Sequence, residues 1–245
     1  MKRWKLQPQY QALHADFGSL DQVFALEGEH LTSDPLSEVL RVQRDGVDYY
    51  VKRYWGAGKG VRRWGIGRPR VQAEWENLLS FAQWGIPTAS IVAYGLEQRF
   101  GQFQRGALIT EGLKNTVDLA ERVRQKDPNF RDFKWVTHVS QQLADATRTM
   151  HAHRFSHNDL KWRNLLVDDQ ARLFFIDCPS GEFSFGPLQR RREIKDLACL
   201  DKVAKYVLSR TQRLRFYLQY TQRDRLTAQD RKVIARILKF FEGRE

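Results

Sequence analysis

His157-Asn158-Asp159-Leu160-Lys161-Trp162-Arg163-Asn164, followed by Phe174-Phe175-Ile176-Asp177, is the stretch on which the fold turns. It sets a carboxylate at Asp159, an amide five residues on at Asn164, and a second carboxylate eighteen residues on at Asp177. Residues 165–167 and 173–176 read as short strands around Asp168-Asp169-Gln170. Such a hairpin would carry Asn164 and Asp177 to one place. Upstream, Phe133, Val136, Leu143, Thr147 and Met150 mark a long amphipathic helix, so the motif lies on the loop leaving it. Downstream, from about Arg191, Leu197, Leu200, Val203 and Val207 repeat at helical spacing, and Leu226, Ile234 and Leu238 do so later.

Toward the N-terminus the pattern changes. Residues 39–43 and 47–52 flank Asp45-Gly46 and predict a tight β-hairpin. A weaker strand is expected at 22–26. Val71, Trp75, Leu78, Leu79 and Ala82 predict a helix ended by Gly85-Ile86-Pro87. Strands are expected at 90–94 and 107–110. The expected class is α+β: a small β-rich lobe with one helix over residues 1–111, and a larger, mostly helical lobe over 112–245, with a cleft between them.

The chain has 245 residues, 42% of them hydrophobic and 7 of them Trp. A chain of this size buries roughly 70–75% of its unfolded surface, so it can build a core without staples. Two cysteines, Cys178 and Cys199, form no ligand pattern and fit a reducing compartment. The first residues lack the apolar core of a signal peptide, and no segment approaches the ~20 apolar residues that span a bilayer. The expectation is a soluble cytoplasmic protein. A net charge of +12 draws polyanions such as nucleic acid, an anionic membrane surface or a phosphorylated substrate. A merely solubilising surface would account for the charge as well.

Phosphoryl transfer from ATP needs a carboxylate to position and deprotonate a hydroxyl, hard oxygen ligands for Mg²⁺, and a cation on the phosphates. Asp159 is the candidate base, with Lys161 beside it in the loop, and Asn164 and Asp177 are the candidate metal ligands. Taken singly, each aspartate could equally be a capping or turn residue; the joint spacing favours chemistry. Lys52, at the end of the alternating strand Tyr50-Val51-Lys52, is the candidate phosphate lysine. Glu74 on the following helix is placed to pair with it, and Glu76 falls on another helical face.

These residues resemble the bacterial lipopolysaccharide core kinase family, which phosphorylates inner-core heptose or Kdo sugars on a bilobal protein-kinase-like fold. The resemblance runs from about Glu38 to Cys199. Its carriers are Tyr50-Val51-Lys52, Ala73-Glu74-Trp75, Gly85-Ile86-Pro87-Thr88, Thr110-Glu111, His151, the loop at 157–161, Asn164, Ile176-Asp177 and Lys195-Asp196-Leu197-Ala198. It implies that Thr110 and Glu111 begin a hinge reading adenine through its backbone. It also implies that Asp196 is buried behind the catalytic loop, accepting its N–H groups. The implied partners are a lipopolysaccharide core acceptor and an anionic membrane surface at the cytoplasmic face of the inner membrane. No nucleic acid is expected.

The departures are informative. The Gly-rich loop that usually covers ATP phosphates is missing; residues 27–35 stand there, with Ser33 or backbone amides as substitutes. Cys178-Pro179 follows Asp177 where Phe-Gly is usual, and no Ala-Pro-Glu follows, which argues against a phosphorylation-switched activation segment. Protein kinases and antibiotic phosphotransferases are the rival enzymes, and a polyanion-binding module the rival non-enzyme. Gly56-Ala57-Gly58-Lys59-Gly60 lacks phosphate-loop spacing and reads as a connector. Trp55 and Trp64, among Lys59, Arg62, Arg63, Arg68 and Arg70, could alternatively meet an interface. His151, His153 and His157 match no zinc spacing and read as packing residues. Trp162 could stack on a sugar or anchor the loop. Arg163 and Arg190 to Arg192 could bind acceptor anions or simply be solvated.

Overall fold

The computed structural model describes residues 2–58 and 67–243. Lys59, Arg62, Arg63 and Trp64, weighed above as interface residues, lie outside the described residues. The chain divides into two compact units, Met1–Ser80 with Thr88–Leu113, and Phe81–Pro87 with Lys114–Glu245.

The first unit is built on six antiparallel strands in the order β1-β5-β6-β4-β3-β2. They are β1 (Lys2–Leu6), β2 (Glu29–Asp34), β3 (Ser37–Arg44), β4 (Val47–Tyr54), β5 (Ile91–Arg99) and β6 (Gln102–Glu111). The hairpin at Asp45-Gly46 forms as the sequence predicts, both residues taking positive φ, 51° and 75°. Such turns match the twist of the flanking strands. Alternation along β4 then sends Val51 to one face and Lys52 to the other.

The first face is covered by a segment the sequence pattern had not assigned. A 3₁₀ turn (Pro8–Leu13), helix α1 (His14–Phe17) and helix α2 (Leu20–Ala25) place Leu13, Phe17, Leu20 and Val23 against Leu40, Val51, Val92 and Ile109. The strand expected at 22–26 is therefore a helix. Ser19 caps it by accepting from the Gln22 backbone N–H, which favours helix over sheet locally. The expectation of one helix in this half is corrected for the same reason. Strand β1 was also missed; it is an edge strand rich in Lys and Arg, as edges often are. It closes tightly on β5, since a methyl group at Gly95 would lie 2.1 Å from the Arg3 carbonyl oxygen.

Helix α3 (Arg70–Gln83) carries the apolar stripe read from the sequence. Val71 meets Gly106, and Trp75 packs on Tyr94 at 5.2 Å between rings. Gly85, with φ of 71°, terminates the segment.

The second unit holds β7 (Thr116–Asp118), α4 (Leu119–Arg124), α5 (Phe133–Ala152), β8 (Phe155–Ser156), β9 (Leu165–Asp168), β10 (Leu173–Phe175), β11 (Glu182–Phe183), α6 (Gly186–Val207), α7 (Arg210–Thr221) and α8 (Ala228–Lys239). The predicted hairpin is β9–β10, with Leu173 opposite Val167. Asp168 shapes its turn by accepting the backbone N–H groups of Gln170 and Arg172. Helix α6 begins at Gly186, five residues before Arg191, with Pro187 in its first turn, where a missing N–H costs nothing. Phe81 is fully buried edge-on to Phe155 and Phe175, at 5.7 and 6.2 Å. Such a side chain contributes roughly 1.5–3 kcal/mol by burial. An apolar cavity of about 510 Å³ lies among the helices, lined by Leu143, Trp162, Leu200, Leu214, Tyr217 and Leu238 among others. Among the described residues no helix is long and apolar enough to cross a membrane.

Candidate active site

In the first unit, Lys52 Nζ lies 2.5 Å from Glu74 Oε1, so the cross-element ion pair expected from the sequence is formed. Glu74 is 1% exposed, and its second oxygen accepts from the Tyr54 hydroxyl at 2.5 Å. Burial and the neighbouring Glu74 carboxylate push the Tyr54 phenol well above its ordinary pKa, so it stays a donor. With both oxygens held, the carboxylate fixes the Lys52 ammonium in one position. Tyr54 was not foreseen, although it stands two residues past Lys52 on the same strand face. Glu76, the competing partner, instead pairs with Arg68 at 2.6 Å.

Ser33 sits exposed on β2 opposite Glu38. Residues 29–34 and 37–44 thus form a strand–turn–strand, with Asp34 accepting from the Leu36 and Ser37 N–H groups at the turn. Thr110 and Glu111 close β6. The Glu111 N–H donates to Ser90, and the Gly112 N–H donates to Asp48. These two donors are already committed within the unit. The Glu111 side chain accepts from the Tyr10 hydroxyl at 2.6 Å; burial and this carboxylate raise Tyr10 to about 12.

In the second unit the loop after β8 brings the motif together. Asp159 is half-buried and meets Lys161 Nζ at 2.6 Å and Arg163 at 3.8 Å. Asn164, 3% exposed, donates its side-chain N–H to the Asp159 carbonyl at 2.9 Å, which leaves its amide oxygen as the group that can ligate. The Ile176 N–H donates to the Asn164 carbonyl at 3.0 Å, tying the residue before Asp177 to the other candidate ligand. Asp177 has φ of 58° and Asn158 φ of 64°. Asp and Asn tolerate this left-handed region better than other non-glycine residues.

Asp196 stands behind this loop with 0% exposure. One oxygen accepts from the His157 N–H at 2.7 Å and the other from the Asn158 N–H at 2.8 Å. The geometry is the one the resemblance implied. His157 stacks on Phe81, and among the described residues neither of its ring nitrogens finds a hydrogen-bond partner. Burial depresses its pKa against the pull of Asp196, Asp177 and Asp159, so it is held neutral.

The other two histidines of this cluster pack: His151 Nδ1 lies 2.8 Å from the Tyr220 hydroxyl, and His153 stacks on Trp84 at 4.5 Å. Trp162 is an anchor. It is 5% exposed, donates its indole N–H to Leu200 at 2.9 Å and stacks on Phe130. Among the described residues no three His, Cys, Asp or Glu side chains form a metal cluster. Asn164 and Asp177 would supply one amide and one carboxylate oxygen. That hard and incomplete set suits Mg²⁺, which binds through one or two side chains together with substrate phosphates.

Residues 26–229 match the model of the Lipopolysaccharide kinase (Kdo/WaaP) family. The chain is 28% identical over 216 residues to the lipopolysaccharide core heptose(I) kinase WaaP of Pseudomonas aeruginosa, covering 83% of this chain and 80% of that one. A probable serine/threonine-protein kinase of fowlpox virus is 27% identical over 105 residues, covering 43% and 33%. Among solved structures, WaaP in complex with acyl carrier protein superposes with a TM-score of 0.74 at 25% identity, covering 98% of this chain and 96% of the other. The α+β, kinase-like architecture matches this neighbour. A family match over most of the chain establishes that the chain belongs to the lipopolysaccharide kinase (Kdo/WaaP) family, phosphotransferases acting on a sugar hydroxyl.

Proposed function

We propose that this chain transfers the γ-phosphoryl group of ATP to a hydroxyl of an inner-core heptose of lipopolysaccharide. The likeness to a heptose(I) kinase over 83% of the chain carries this choice over a Kdo acceptor. The net charge of +12 supports a polyanionic acceptor. Asp159 orients the hydroxyl and takes its proton as the oxygen attacks the γ-phosphorus and ADP leaves. Lys161 and Arg163 offset negative charge beside it. Asn164 and Asp177 would hold Mg²⁺, which would neutralise phosphate charge when bound. Lys52, steadied by Glu74 and Tyr54, holds the α- and β-phosphates. Because ATP is cytoplasmic, the reaction belongs to the cytoplasmic face of the inner membrane.

The test is labelled phosphate transfer from ATP and Mg²⁺ to four acceptors: heptose-bearing core lipopolysaccharide, a heptose-free Kdo glycolipid, casein and an aminoglycoside. Transfer to the first alone is expected. Transfer to the Kdo glycolipid would move the acceptor one sugar inward, and transfer only to casein or the aminoglycoside would refute the reading.

A partner is proposed as well. The solved neighbour is a complex with acyl carrier protein. The apolar cavity of about 510 Å³ in the helical unit has the volume and lining to take an acyl chain. Acylated carrier protein is expected to raise the melting temperature of the chain and the unacylated form to leave it unchanged. Equal shifts would show that the cavity plays no part.

A further inference from the structure

The segment leaving Asp177 buries Cys178 and Ser184 but leaves a run of apolar side chains at the surface. Phe183 is 50% exposed, Phe185 65% and Leu188 48%, three large apolar side chains within six residues. Single exposed apolar residues are ordinary; a cluster is not. Phe183 lies in β11 with one edge against Phe155 and Trp84, Phe185 caps the start of α6, and Leu188 lies in its first turn.

Arginines border this cluster. The Arg154 guanidinium lies over the Phe185 ring at 5.1 Å, and the Arg154 carbonyl accepts from the Ser184 N–H. Arg191, one turn past Leu188, lines a shallow groove with Arg236 and Lys239 of α8. Among the described residues no carboxylate forms an ion pair with Arg154, Arg190, Arg191, Arg236 or Lys239. The nearby acids are Glu182, already paired with Arg192 at 2.6 Å, Glu193, which accepts from Gln189, and Glu242 beyond α8.

The same segment is hooked to the catalytic loop. Glu182 pairs with Ser156 and Phe183 with Phe155, the residues just before His157. The Asn158 side chain donates to the Ser180 carbonyl at 3.0 Å. Whatever this surface rests on is therefore held in register with Asp159.

We infer that Phe183, Phe185 and Leu188, rimmed by Arg154, Arg191, Arg236 and Lys239, form a docking face for an anionic lipid bilayer. The aromatic and aliphatic tips enter the headgroup region while the arginines meet lipid phosphates. The inference rests on the reading of the acceptor as a membrane-borne glycolipid, and it gives that reading a surface. A bilayer is chosen over a protein partner because Arg154 beside Phe185, and Arg191, Arg236 and Lys239 in the groove one turn past Leu188, have no paired acids among the described residues. This arrangement complements a surface that is both greasy and uniformly negative.

The test is co-sedimentation of the full chain, without ATP or acceptor, with vesicles of phosphatidylethanolamine and phosphatidylglycerol, and with vesicles of phosphatidylcholine alone. Binding to the anionic vesicles is expected, weakened by salt. The double variant R154E/R236E should bind them about tenfold or more weakly, from the roughly fivefold partitioning that each basic residue adds at an anionic surface, and F185S/L188S should lose about tenfold or more from the apolar area withdrawn from the bilayer. Both should phosphorylate delipidated core oligosaccharide at the wild-type rate and lose turnover only on lipopolysaccharide embedded in vesicles. Equal vesicle binding by wild type and variants, or no binding by wild type, would overturn the docking face. So would variants that keep vesicle affinity but lose affinity for acyl carrier protein, which would make the surface a protein site. Because vesicle binding is read without chemistry, a failed kinase reading would appear separately, as no transfer to soluble core by any form.

Discussion

Asp159→Asn is expected to lower the rate of phosphate transfer to the sugar acceptor by about 10²–10⁴-fold, the range that a positioned general base supplies. This corresponds to about 3–5 kcal/mol of lost transition-state stabilisation. ATP affinity and melting temperature should stay near wild type. The expectation follows from the surroundings of Asp159. It is half-buried, its contacts are the flexible heads of Lys161 and Arg163, and its fold-defining link to Asn164 runs through its backbone carbonyl rather than its carboxylate. Asparagine keeps the shape and removes only the proton acceptor. Single-turnover kinetics with saturating ATP checks this, and a variant within tenfold of wild type would remove Asp159 from the role of base.

Asp196→Ala should act through folding first and chemistry second. The substitution strips both acceptors from the His157 and Asn158 N–H groups at a site with 0% exposure. A buried donor left without a partner costs about 1–3 kcal/mol. Two of them amount to roughly 2–6 kcal/mol, which in a chain of this size lowers Tm by about 5–20 °C. The loop holding Asp159 would loosen as well, so turnover should fall even at temperatures where the variant remains folded. Calorimetry of the variant, with Arg163→Ala as a surface control, is the check. An unchanged Tm would mean that the loop is held by something other than this carboxylate.

The contrast between these residues shows what a sequence discloses. Asp159, Asn164 and Asp177 stand out because the phosphoryl transfer proposed for them would demand particular residue types at set intervals, and the β9–β10 hairpin between Asn164 and Asp177 is a local structure with a local pattern. Lys52 and Glu74 were legible by a different route: strand alternation and helical periodicity each leave few faces from which a charge can reach inward. The N-terminal residues were harder. Lys2 to Leu6 is short and charged, and it becomes a strand only because β5 offers it an edge. Ser19-Leu20-Asp21-Gln22 did carry a capping signal for α2 that the weak apolar alternation of residues 22–26 masked.

Trp162 and Glu111 illustrate long-range determination. Whether an indole faces solvent depends on Leu200 and Phe130, distant in sequence. Whether the Glu111 N–H is free depends on the Ser90 carbonyl. The start of α6 at Gly186 was signalled by Pro187, a residue favoured in a helix's first turn, and went unread because the apolar spacing becomes regular only further along.

Lipopolysaccharide from cells carrying the wild-type gene, a deletion, or the Asp159→Asn allele offers the most direct trial. Mass spectrometry should find one phosphate missing from an inner-core heptose in the deletion strain, restored by the wild-type chain and still missing with the Asp159→Asn chain. Identical inner-core phosphorylation in all three strains would contradict the assignment of this chain as the kinase.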